Sequence, residues 1–77
     1  MSTFKLYSTA GCHLCEIAEV QLGKLGYLAE TQKVDIVGDE LLVRDYGDKI
    51  PVLEHVISQE KLYWPFTPAQ IQQLLES

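Results

Sequence analysis

Phe4-Lys5-Leu6-Tyr7-Ser8-Thr9-Ala10-Gly11-Cys12-His13-Leu14-Cys15 is the stretch on which the reading of the fold turns. Phe4, Leu6 and Tyr7 place a short strand over residues 3–8, ended by Ser8-Thr9-Ala10-Gly11. From Leu14 onward the period changes. Leu14, Ile17, Ala18, Leu22 and Leu25 recur at helical spacing, with Glu16, Glu19 and Lys24 on the other side. Gly26 is placed to stop that helix just past its last turn. A Cys-X-X-Cys pair therefore sits where a strand hands over to a helix.

Outward from this point the alternation continues. Residues 27–36 read as a second strand with Leu28, Val34 and Ile36 in one register, although Glu30-Thr31-Gln32-Lys33 makes its middle polar. Gly38-Asp39 offers a helix start, Leu41, Leu42 and Tyr46 an apolar face, and Gly47 an end. After Ile50-Pro51, residues 52–57 read as a strand, 58–60 as a tight connection and 61–64 as its hairpin partner. Thr67, Pro68 and Gln70 form the clearest helix start in the chain: N-cap, first helical position and capping-box partner. Ile71, Leu74 and Leu75 give this helix its buried stripe. The order β-α-β-α-β-β-α predicts an α/β domain, residues 1–77, with a four-stranded mixed sheet and helices on both faces.

Composition narrows the function classes. The chain has 77 residues, 47% of them apolar and 22% charged, with six Lys and Arg against eleven Asp and Glu. That is one small domain in which nearly every apolar side chain must be buried. A net charge of −5 opposes binding to phosphate backbones and to anionic membrane surfaces, so neither nucleic acid nor membrane is an expected partner. No basic-then-apolar leader opens the sequence, and Met1 in place points to the cytoplasm. Nothing demands more than a monomer.

Both cysteines of the chain lie in Cys12-His13-Leu14-Cys15. A bridge across four residues staples almost nothing, so the pair is expected to do chemistry rather than hold the fold. The free amides and dipole of a helix's first turn favour a thiolate, and Cys12 falls at or just before that turn. Cys15 falls on the side facing the protein, where it can resolve a mixed disulfide formed at Cys12. Protonated His13 would add positive charge beside Cys12; its other reading is a solvated side chain at a helix start. Two further readings of the pair stay open: small buried hydrophobes, or a zinc site using Cys12, Cys15, His13 and His55. Trp64 and Phe66 either close the core under the last helix or form an apolar shelf beside the dithiol.

A strand, a CxxC at a helix start, a βαβ crossover, X-Pro before a hairpin and a final helix: in this order the chain resembles the thioredoxin fold in its small glutaredoxin-like form. The specific matches are Gly11-Cys12-His13-Leu14-Cys15 and Lys49-Ile50-Pro51-Val52-Leu53. The resemblance implies a thiol–disulfide oxidoreductase with Cys12 as nucleophile and Cys15 as resolving thiol. Pro51 would be a cis-proline beside them, with the Ile50 backbone pairing to an extended substrate segment, and no metal or other cofactor is implied. The partners implied are a protein disulfide and a reductant, either glutathione or a thioredoxin-reductase-like flavoprotein. The chain departs from glutathione-using relatives in having Thr9 three positions before the first cysteine, where they carry Lys or Arg. It also has Trp64-Pro65-Phe66-Thr67 in place of a Gly-Gly-X-Asp turn, and His13-Leu14 between the cysteines. A thioredoxin-fold binding module carrying metal or an iron–sulfur cluster, and a redox-inert interaction domain, are the alternative functions.

Overall fold

Alternation of side chains along the first strand decides how the layers assemble. The computed structural model describes residues 2–76. Strand β1 (Phe4–Ser8) sends Phe4 and Leu6 to one face and Tyr7 to the other, and a separate core forms on each. On the first face Phe4, Leu6 and Leu53 meet Ala18 and Leu22 of helix α1 (His13–Leu25) and Ile71 and Leu74 of helix α3 (Pro68–Leu75). On the second, Tyr7, Ile36 and Val52 are covered by Leu42 and Tyr46 of the short helix α2 (Glu40–Tyr46). Helices thus lie on both faces of the sheet.

The sheet runs β2-β1-β3-β4. β2 (Thr31–Asp35) is parallel to β1, as a βαβ crossover requires, while β3 (Val52–His55) and β4 (Lys61–Tyr63) are antiparallel neighbours. Tyr7 opposite Val52 and Phe4 opposite His55 fix the register. The start of β3 therefore lies at the end of the sheet where β1 gives way to the cysteines, and His55 lies at the opposite end.

Two elements are shorter by two residues or more than the apolar pattern predicts. The strand expected over 27–36 begins only at Thr31, because the cap of α1 and a 3₁₀ turn take up residues 26–30. Gly26, at φ 84°, takes the left-handed conformation, and Tyr27 N–H donates back to the Leu22 carbonyl at 2.9 Å. Tyr27 is then held by an edge contact with Phe4 and by its hydroxyl donating to Gln72 Oε1 at 3.0 Å. A turn of 3₁₀ helix, Leu28–Glu30, leaves Leu28 exposed, outside the register expected for it. Likewise the strand expected over 52–57 stops at His55. Residues 56–60 form a longer connection in which Gln59 N–H donates to the His55 carbonyl and Glu60 N–H to Ser58 Oγ. Ile57, a strand former by propensity, is 86% exposed. Leu41 is also exposed, so α2 presents Leu42 and Tyr46 alone to the core.

The start of α3 has the expected form. Thr67 Oγ1 accepts from Gln70 N–H at 3.2 Å, and Gln70 Oε1 accepts from Thr67 N–H at 2.9 Å. Removing the hydroxyl in Thr67→Ala should cost about 1 kcal/mol and lower the melting temperature by about 4–8 °C in a calorimetric scan.

Candidate active site

Cys12 is the N-cap of α1. Gly11, at φ 79°, turns the chain out of β1 in a conformation that favours glycine, and Cys12 follows in an extended one. Its Sγ accepts a hydrogen bond from Cys15 N–H at 3.2 Å, the role a serine or aspartate oxygen fills at an ordinary helix start. The two cysteines, 5.2 Å apart at Cα, are joined by a disulfide. Cys12 is half-exposed and Cys15 is buried. One sulfur faces outward and the other lies inside.

The segment before β3 lies at the same end of the sheet as the cysteines. The Ile50–Pro51 bond is cis and Pro51 is fully buried. A second cis bond, Trp64–Pro65, lies at the end of the hairpin, and no feature of the sequence reading singled it out. Tyr46 holds the approach to Pro51: its carbonyl accepts from Lys49 N–H at 2.8 Å and Ile50 N–H at 3.1 Å. The Ile50 amide is thus already engaged. Of the two backbone groups expected to pair with a substrate segment, the carbonyl is the one to which no backbone N–H donates among the described residues.

A groove of about 360 Å³ joins the two halves. It is lined by Leu14 from between the cysteines, Asp48, Lys49 and Ile50 from the loop before Pro51, and Tyr63 and Trp64 from the end of the hairpin. Trp64 and Phe66 divide the two roles considered for them. Phe66 is buried in the core, while Trp64, edge-on to it at 5.1 Å, packs on the core and also lines the groove. Tyr63 and Asp48 were not among the expected site residues. The signal for Tyr63 lay only in the sheet register, which brings it opposite Val52, next to Pro51, while Asp48 lies two residues before Ile50 in sequence.

The histidines fall apart. His13 is 84% exposed, with Nδ1 4.0 Å from Glu16 Oε2, and Leu14 rather than His13 lines the groove. His55 is buried against Phe4, and its Nδ1 meets Ser58 Oγ at 3.1 Å. The four residues of the zinc reading are thus not brought together, and no cluster of three metal-ligating side chains exists among the described residues. Among the same residues, no helix is long and apolar enough to cross a membrane.

A family model for the glutaredoxin-like domain (DUF836) matches residues 3–76. The chain belongs to this family. Protein XcR50 from X. campestris is similar to it in two solved structures. The X-ray structure has a TM-score of 0.84, 30% identity and coverage of 95% of each chain. The solution structure has a TM-score of 0.82 and 30% identity, covering 96% of this chain and 92% of that one. Protein Ne2328 from Nitrosomonas europaea is 31% identical, covering 92% of this chain and 87% of its own, at a TM-score of 0.71. No curated protein matches the chain.

Behind Pro51, the glutaredoxin-like domain carries a polar contact that the sequence did not reveal. Tyr7 hydroxyl donates to Glu54 Oε1 at 2.7 Å, Lys61 stands 3.8 Å from the other carboxylate oxygen, and the Tyr46 ring packs on Tyr7 at 4.8 Å. Burial pushes the Tyr7 phenol well above its ordinary value of 10.0, and the Glu54 carboxylate acts in the same direction. Burial raises Tyr46 as well, against the opposing pull of Lys61. A phenol whose folded value lies above its unfolded value stabilises the fold fully below pH 10. That contribution is lost as the pH rises beyond it. Tyr7→Phe should therefore lower stability by about 1 kcal/mol at neutral pH. It should also flatten the decline of stability above pH 10, as read by denaturant unfolding across a pH series.

Proposed function

We propose that this glutaredoxin-like domain is a dithiol–disulfide oxidoreductase with Cys12 as nucleophile and Cys15 as resolving thiol. The observation that carries the reading is the Cys12–Cys15 disulfide at the start of α1, with the outer sulfur accepting the Cys15 amide. In the reduced protein the Cys12 thiolate keeps that amide donor and the helix dipole behind it, so it ionises below the ordinary thiol value of about 8.5. It attacks one sulfur of a substrate disulfide, forming a mixed disulfide and releasing one substrate thiolate. The Cys15 thiolate then attacks Cys12 Sγ, which frees the second substrate thiolate and restores Cys12–Cys15. Two electrons pass from the protein to the substrate, and an external thiol reductant returns them. Glutathione and a thioredoxin-reductase-like flavoprotein are the candidates.

Ile50 and Pro51 border the place where the substrate segment lies, and the Ile50 carbonyl accepts from that segment. Protonated His13, next to Cys12, strengthens the thiolate electrostatically. Its 84% exposure keeps this effect small beside the direct amide contact.

Disulfide reduction should vanish in Cys12→Ser. In Cys15→Ser, one turnover should leave substrate attached to Cys12, visible as an adduct by intact mass. Full activity in Cys12→Ser would end the proposal. Coupled assays with glutathione plus glutathione reductase, and separately with thioredoxin reductase, would identify the reductant.

A further inference from the structure

The groove beside the disulfide is uneven in its chemistry. Leu14, Ile50, Tyr63 and Trp64 give it apolar walls, and Asp48 and Lys49 close one side. Lys49 is the one cation among the six, and it is committed. Its Nζ donates to the Asp45 carbonyl at 3.2 Å and stands 3.9 Å from the Asp48 carboxylate. The Asp48 side chain itself is 90% exposed and meets whatever approaches. Behind it the whole chain carries a net charge of −5. An approaching anion thus finds a cation already paired with a carboxylate at the mouth, and a repulsive field beyond.

We infer that the groove takes an extended protein segment bearing a large apolar side chain next to its reactive cysteine and a basic residue beyond it. Glutathione disulfide is disfavoured. This rests on the dithiol reading above and names the substrate class of the same site. The apolar side chain fills the space between Leu14, Ile50 and Trp64, the segment's N–H donates to the Ile50 carbonyl, and the basic residue meets Asp48. Glutathione offers the reverse pattern: two carboxylates against one ammonium, and no apolar side chain beside its sulfur. Selection against it comes from the net negative field of the chain and from a groove whose one cation is already held by Asp45 and Asp48. The chemistry is the exchange already described. The Cys12 thiolate joins the segment's sulfur and expels its partner thiolate, and Cys15 then releases the segment as a thiol.

The test is a single-turnover experiment with full-length protein reduced by a small dithiol and freed of it. The disulfides are glutathione disulfide, neutral bis(2-hydroxyethyl) disulfide and three matched peptides: apolar–basic, apolar–acidic and serine–basic. The apolar–basic peptide should react fastest. Replacing its apolar residue by serine should cost about ten-fold or more. Replacing the basic residue by an acidic one should cost several-fold at low salt, and this difference should shrink as ionic strength rises. Asp48→Lys, at a 90% exposed position, should shift preference several-fold toward glutathione disulfide and away from the basic peptide. Equal rates across the panel, or glutathione disulfide outrunning the apolar–basic peptide, would overturn the inference while leaving the dithiol reading intact. So would an unchanged preference in Asp48→Lys. No reaction with any of the disulfides would remove the dithiol reading, and the inference with it.

Discussion

A single hydrogen bond, from Cys15 N–H to Cys12 Sγ, ties the local chemistry of this domain to its architecture. An N-cap residue must accept from an amide of the first helical turn, and sulfur in a disulfide is a weak acceptor for that purpose. A thiolate is a strong one. The same amide therefore binds the reduced Cys12 better than the oxidised, and the helix dipole adds to the difference. Helix α1 cannot favour its own start without favouring the reduced, ionised sulfur. Placing the cysteines one turn further along would keep the helix and lose this coupling, because amides inside a helix already donate to carbonyls.

The rest of the fold serves to bring a second segment to the end of the sheet where that sulfur lies. β1 leads into Cys12 and β3 leads away from Pro51, and their antiparallel register, Tyr7 opposite Val52, sets both at one end of the sheet. Each face of this pair has its own core, so displacement of β3 would disturb two packed layers at once. The loop before Pro51 is fastened by the Tyr46 carbonyl, which accepts from two amides, and the Tyr46 ring is fastened in turn by Tyr7. Helix α2 has only seven residues and buries little, yet its last residue sets the wall of the groove.

Much of this was legible from residue types because the signals were local. Gly26, Asp39, Thr67, Pro68 and Gln70 each carry a backbone or capping preference that acts within four residues, and each stands where it was expected. Element order and the CxxC-to-helix junction followed from them. Strand ends were less legible. Val56 and Ile57 have the side chains of a strand, but the hairpin needed its turn between His55 and Glu60, and hydrogen bonding there outweighed propensity. The groove was the least legible feature. Leu14, Asp48, Tyr63 and Trp64 come from three separate segments, and only the packing of helix, loop and hairpin makes them neighbours. The Ile50 amide shows the same limit: its engagement by Tyr46 is a matter of loop geometry, to which a side-chain pattern is blind.

The acidity of the chain sets a last constraint on the dithiol. Negative charge disfavours a thiolate, and Glu16, which suits the helix dipole in the first turn of α1, lies close in sequence to Cys12. Magnitudes decide the balance. Glu16 is 68% exposed and near His13, so water and salt hold its effect on a neighbouring charge below about 1 kcal/mol. A hydrogen bond to a charged group contributes about 1.5–3 kcal/mol. The amide contact at Cys12 therefore outweighs the surrounding carboxylates at short range. In the proposed exchange those carboxylates act farther out, where a substrate is still diffusing and no amide can reach it. In the proposed exchange, reactivity at the sulfur and selection at the mouth of the groove rest on different charges, so each can change without the other.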